Sequence, residues 1–222
     1  MSLVTAEQMR RLDRQARRDF KIPELILMEH AGTKVAQVVK RLPSSSRGVV
    51  VLAGGGSNGG DGLVAARHLD NWGIPVEVAL FKPATRITGA AKTNLEIVQR
   101  LKIPVALTHS AGLWRRWSRR KHFSGVVIDA LLGTGLFGPV REPFASAIDW
   151  TRHQSAPVVS VDLPSGLDAD TGGIWGQAVR AKVTVTCGAE KVGLRRKMGK
   201  KMSGRIIVAD ISLPRKLRRW TS

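Results

Sequence analysis

The stretch that most limits how this chain can fold is Leu52-Ala53-Gly54-Gly55-Gly56-Ser57-Asn58-Gly59-Gly60-Asp61-Gly62-Leu63-Val64-Ala65-Ala66-Arg67-His68-Leu69. A β-branched run, Val49-Val50-Val51, precedes it, and the apolar residues from Leu63 to Leu69 follow at helical spacing. Strand, glycine turn and helix together let a ligand approach bare backbone at the carboxyl end of a parallel strand. Six glycines between Gly54 and Gly62 add ordering entropy. The expected return is a tight path with exposed N–H groups, and a helix over Gly62–Asn71.

Gly54-x-Gly56-x-x-Gly59 formally matches the dinucleotide fingerprint, a weak signal alone. Two details oppose an ordinary dehydrogenase. The acidic residue expected about 20 positions on, at the end of the second strand, is missing; that region reads Ala79-Leu80-Phe81-Lys82. Asp61 lies where the helix should begin, so its carboxylate would compete with a pyrophosphate for the positive helix end. Asp61 as a simple helix cap is one alternative. A polar ligand or hard cation held by Asn58 and Asp61 is the other.

The remaining chain alternates short apolar runs with helical patterns. Thr5-Ala6-Glu7-Gln8 has capping-box spacing and opens a helix to about Phe20. Pro23 starts a second helix, in which Glu29 and His30 are polar among apolar neighbours. Strands are expected at Val49–Ala53, Val76–Phe81, Val105–Leu107, Val126–Asp129, Val158–Val161, Val183–Cys187 and Ile206–Ala209. Further helices are expected at about Thr88–Leu101, Gly112–His122 and Glu142–Arg152, with Trp114 and Trp117 forming the buried stripe of one. Such alternation predicts a parallel sheet covered on both faces. A short basic stretch separates the last two strands, which leaves antiparallel or edge pairing open there.

At 222 residues, the chain has ample material for one domain or a tightly joined pair. No run approaches membrane-spanning length, and no charged segment leads into an apolar one near the start. Cys187 is the single cysteine. A soluble, cytoplasmic protein is therefore expected. There are 36 Lys+Arg against 17 Asp+Glu, a net charge of +19. The basic clusters at Arg10–Lys21, Arg115–Lys121, Arg195–Lys201 and Arg215–Arg219 suit a polyanion or a phosphate-bearing small molecule, or form a solvated surface. Tyrosine is absent, and no aromatic platform for stacking bases is apparent, so nucleic acid is the less favoured partner.

Two further loops follow strands. Asp129-Ala130-Leu131-Leu132-Gly133-Thr134-Gly135-Leu136-Phe137-Gly138-Pro139 begins with a charge ending an apolar run, which needs partners or a metal. Val161-Asp162-Leu163-Pro164-Ser165-Gly166 repeats the arrangement. Each aspartate alone could brace a loop. In a doubly wound sheet, however, such loops converge on one crevice, gathering Asn58, Asp129, Asp162 and Ser165. An all-oxygen set suits a hard cation, and its low charge points to a monovalent one.

These three strings and their order resemble the YjeF N-terminal domain family. Leu27-Met28-Glu29-His30-Ala31-Gly32, Val140-Arg141-Glu142-Pro143-Phe144 and the closing Gly204-x5-Asp210-Ile211-x-x-Pro214 also resemble family segments. The resemblance covers almost the whole chain. It implies an α/β fold, a Rossmann-like three-layer α/β/α sandwich with a mostly parallel sheet, as a single domain over residues 1–222, often in a homodimer. It further implies NAD(P)H-hydrate epimerase activity, converting the R epimer of NADHX or NADPHX at C6 of the nicotinamide ring to the S form.

By motif, Asn58, Asp129 and Ser165 match the family's potassium ligands. Ser57, Asn58, Gly59, Gly60 and Asp61, together with Gly133, Thr134, Gly135, Leu136, Phe137, Gly138 and Pro139, match its substrate loops. Asp162 matches the catalytic or substrate-contacting aspartate. Ser57 departs from the pattern, since many members carry a second asparagine there. Many bacterial members are fused to a kinase-like dehydratase; this chain ends at Ser222, so that activity is expected to be absent. Two other readings stand beside the epimerase: a non-catalytic nucleotide- or RNA-binding module on the same scaffold, and an NAD-dependent oxidoreductase.

Overall fold

A computed structural model describes residues 3–119 and 123–218. Its centre is a sheet of seven strands, β1 (Val49–Ala53), β2 (Val76–Leu80), β3 (Val105–Leu107), β4 (Val126–Ala130), β5 (Val158–Val161), β6 (Val183–Cys187) and β7 (Arg205–Ala209). They lie in the order β3-β2-β1-β4-β5-β6-β7, and every neighbouring pair is parallel. The helices are α1 (Ala6–Asp19), α2 (Glu24–Lys40), α3 (Ser57–Asn71), α4 (Gly89–Arg100), α5 (Ala111–Ser118), α6 (Phe144–Arg152) and two single turns, α7 (Gly199–Met202) and α8 (Arg215–Arg218). No helix among the described residues is long and apolar enough to cross a membrane.

Alternation along the strands divides the core into layers. Val49, Val51 and Ala53 of β1 join one apolar cluster with residues of α1, α2, α3 and α4. Val50 and Leu52 face the other way, into a cluster with Trp114 and Trp117 of α5 and Ala147 and Ile148 of α6. Trp114 and Trp117 are both buried, as their spacing predicts. Trp114 meets Trp150 edge-on with ring centroids 5.8 Å apart. The strand order turns back between β1 and β4, which splays the following loops apart and opens a crevice at the carboxyl ends.

Two expectations are corrected. Strands β6 and β7 run parallel, pairing Val183 with Arg205, although β7 does lie at the sheet edge. Residues 188–204 between them, which include α7, are more than the dozen or so that a parallel crossover needs. Helix α3 begins at Ser57, with Gly56 as N-cap and no side-chain cap, so Asp61 caps nothing. The helix expected over Gly112–His122 appears as α5, and its last residues, 120–122, lie outside the described ones.

The early start of α3 changes what the glycines do. Gly59 and Gly60 are helical and buried, and they buy close approach more than exposed backbone. A Cβ on Gly59 would stand 2.0 Å from the carbonyl oxygen of Gly54, and one on Gly62 would stand 2.6 Å from Ala130 Cβ. Backbone can move away less readily than the end of a flexible side chain. Gly59→Ala is therefore expected to lose about 1–3 kcal/mol of stability by overpacking, measurable by urea denaturation, despite alanine's better helix propensity.

Candidate active site

The loops after β1, β4 and β5 open onto one cavity of about 830 Å³. Ser57, Asn58 and Asp61 line it from α3, residues Gly133, Thr134, Gly135, Leu136 and Phe137 from the loop after β4, and Asp162 from the loop after β5. Gly59, Gly60, Gly138 and Pro139 are not among its lining residues. Asp129 and Ser165 stand behind the lining, both fully buried. A second groove, of about 690 Å³, lies between α5 and α6 and holds none of the expected site residues.

Asp162 is held unusually firmly. Its backbone is left-handed, with φ 64°, a conformation an aspartate tolerates better than most residues. Its N–H donates to the Val185 carbonyl at 2.8 Å. The Cys187 N–H donates to Oδ1 at 3.1 Å and the Thr186 hydroxyl at 3.4 Å. The Lys191 ammonium donates to the same oxygen. Asp162 Oδ2 accepts no hydrogen bond from the described residues, so one oxygen anchors the carboxyl group and the other is left for a ligand.

Sequence reading alone does not single out Lys191. The side chain has no solvent exposure, and its ammonium also donates to the Cys187 carbonyl at 2.8 Å and Thr186 Oγ1 at 3.2 Å. A buried ammonium with all three hydrogens placed satisfies the requirement for charge in an apolar setting. The available signal was a lysine just past the end of an apolar strand, in Gly188-Ala189-Glu190-Lys191. Val4 fixes the segment from the other end of the chain: its N–H donates to Glu190 and its carbonyl accepts from Val192.

Two more carboxyl groups line the cavity. Asp61 is 9 % exposed, and burial, with the nearby charges of Asp162 and Asp13, pushes its carboxyl well above the ordinary range. Asp13 of α1, not singled out in the sequence, has a buried Oδ1 without a hydrogen-bond partner. Burial pushes its carboxyl up to about 6, against the pull of Lys191. The folded protein thus holds this proton more tightly than the unfolded chain, whose value is near 3.8. The group opposes folding progressively as pH rises from about 4 to 6, and fully above that. Asp13→Asn is accordingly expected to raise the melting temperature at pH 7, with the gain shrinking towards pH 4; scans at both values check this.

Cations border the same cavity. Arg10, Arg14 and Arg17 of α1 and Lys82 after β2 contribute to its lining. Arg10 also donates to the Thr134 carbonyl at 3.2 Å, tying α1 to the loop after β4. Glu24 is engaged by the Ser57 hydroxyl at 2.9 Å and by Arg17 at 3.5 Å. By contrast, Glu29 pairs with Arg67 and with His68 away from this lining, and His30 is exposed.

Behind the wall, Asp129 accepts from Ser160 Oγ at 2.8 Å, Ser165 N at 2.9 Å and Ser165 Oγ at 2.5 Å. Burial raises its carboxyl, and these donors oppose the rise. The Leu132 N–H donates to Ser165 Oγ at 2.9 Å, which links this cluster to the loop that contacts Asn58. A Cβ on Gly133 would lie 3.4 Å from Asn58 Cγ. Both polar atoms of the Asn58 amide are buried without a hydrogen-bond partner among the described residues. Such atoms call for a ligand, and an amide oxygen, a hydroxyl and a carboxylate are donors of the kind that suit a hard cation of low charge.

The chain is similar to known proteins over almost its whole length. The family described as YjeF-related protein N-terminus matches residues 24–193. The chain is 40% identical over 220 residues to the bifunctional NAD(P)H-hydrate repair enzyme Nnr of Moorella thermoacetica, covering 98% of this chain and 42% of that protein. It thus spans less than half the length of such bifunctional relatives. It is 36% identical over 213 residues to the NAD(P)H-hydrate epimerase of Limosilactobacillus reuteri, covering 94% of each. The crystal structure of yeast ynu0, YNL200c, superposes with a TM-score of 0.79 at 28% identity, covering 100% of this chain and 94% of that one. In both sequence and fold, the chain belongs to the YjeF-related N-terminal family.

Proposed function

We propose that this chain is an NAD(P)H-hydrate epimerase, interconverting the R and S epimers of NADHX and NADPHX. The observation that carries the reading is Asp162, locked through one carboxylate oxygen and open at the other, on a cavity bordered by cations. C6 of the hydrate bears a hydroxyl beside ring nitrogen N1, whose electron pair can move toward C6 as the hydroxyl leaves. A positioned carboxyl group is the general acid–base catalyst this step needs, and Asp162 Oδ2 supplies it. Arg10, Arg14, Arg17 and Lys82 meet the phosphates, and Lys82 suits the 2′-phosphate of NADPHX. The uncapped start of α3 adds unpaired N–H groups that favour an anion.

Asn58, Asp129 and Ser165 would hold a potassium ion. Bound there, it would act electrostatically, offsetting the Asp129 charge and satisfying the unpaired Asn58 oxygen. Ser165, accepting from the Leu132 N–H, ties the loop after β5 to the loop after β4.

The test follows loss of the R epimer by chromatography, for NADHX and NADPHX separately, with potassium or with a bulky organic cation. Accelerated equilibration that weakens without potassium supports both parts. Rates equal to the uncatalysed background for both substrates would sink the reading.

A further inference from the structure

Epimerisation by departure and return of water carries a geometric demand: the hydroxyl leaves one face of the ring and arrives on the other. Asp162 is pinned by three donors to Oδ1, so it addresses one direction. A second proton-transfer group on the cavity lining would serve the opposite face without turning the ring. Besides Lys82, placed above at the phosphates, the lining offers Glu24, Lys191, Cys187, Asp61 and Asp13. Glu24 is occupied by Ser57 and Arg17. Lys191 has all three hydrogens engaged. Burial pushes the Cys187 thiol well up, and burial with the nearby Asp162 and Asp13 charges pushes the Asp61 carboxyl well up too. Asp13 differs from them in having a buried carboxyl oxygen that no described residue satisfies.

We infer that Asp13 is the second catalytic acid–base residue of this site, exchanging a proton with the C6 hydroxyl of one epimer while Asp162 serves the other. The inference rests on the epimerase reading above. Protonated Asp13 gives its proton to the C6 hydroxyl; the C6–O bond breaks and water departs as the N1 lone pair forms the N1=C6 bond. Water then adds to C6 from the opposite face and gives a proton to Asp162, and the π electrons return to N1. The reverse direction exchanges the roles, so the competent state is the one in which the pair shares a single proton.

The charged and titratable neighbours fit that state. Lys191, Asp162, Arg17 and Glu24 act on Asp13 from the loop after β6, the loop after β5, α1 and α2. Asp61 and Cys187 also feel its charge. With the Asp13 carboxyl at about 6, both of its forms are accessible near neutrality, as an acid–base catalyst requires. Because the competent state is common to both directions, kcat/KM should fall above about pH 6 whichever epimer is supplied.

The experiment compares the full chain with Asp13→Asn and Asp13→Glu, measuring kcat, KM and the pH profile of epimerisation, with thermal melting as the check on folding. The expected result is a fall in kcat of about 10²-fold or more for Asp13→Asn, little change in KM, and loss of the limb near pH 6. Asp13→Glu should recover part of the rate and keep a limb. Wild-type kcat in a folded Asp13→Asn variant, or an unchanged limb, overturns the role of Asp13 while leaving the epimerase reading standing. A wild-type chain that does not accelerate epimerisation overturns both.

Discussion

Asp162→Asn is expected to slow R-to-S conversion by about 10²–10⁴-fold, the usual worth of a positioned acid–base group. An amide keeps the shape and can still accept hydrogen bonds from Cys187 N, Thr186 and Lys191 at its oxygen. It cannot take a proton from water in the neutral range. The loss should therefore fall on kcat with little change in KM, as read by initial rates with either epimer. Full activity in this variant would remove Asp162 from the chemistry. The substitution also leaves the buried Lys191 without its counter-charge, so some loss of stability should accompany it.

The largest effect on stability is expected at Lys191. Removing one member of a buried ion pair commonly costs about 3–5 kcal/mol, and Lys191→Ala also empties the space of a fully buried side chain. Lys191→Met separates the two contributions, because it fills most of the stem's volume while deleting the charge. The expected order in urea denaturation is wild type, then Met, then Ala. Both variants should lose epimerase activity, since Asp162 Oδ1 loses one of its three donors. A Lys191→Ala protein with wild-type stability would show that the buried ammonium does not hold this loop together.

The fold was largely legible because the strands are continuous apolar runs. Val49–Ala53 and Val158–Val161 have no other sensible reading and appear with those bounds. The start of α3 was not legible. Glycine's low helix propensity argues against a helix through Gly59, Gly60 and Gly62, and only contact with Gly54, Met28 and Ala130 makes it the better solution. The convergence of Asn58, Asp61 and Asp162 on one cavity followed from strand order. Asp13 and Lys191 were hidden for opposite reasons. Asp13 sits among arginines, where an aspartate reads as a surface ion-pair partner. Lys191 follows Glu190 in a segment whose charge suggests solvent. Burial distinguishes both, and it is a property of the assembled molecule.

The seam between Val4 and Lys191 has a consequence for how the protein is made. It joins residues nearly the length of the chain apart, and such distant pairings form late because the intervening loop must be closed first. During synthesis, the β1 turn and α3 emerge long before the lysine that completes the pocket. A nascent chain can therefore display the glycine cradle without the charge that arms the aspartate. The ion pair between Lys191 and Asp162 forms only when the two distant segments meet.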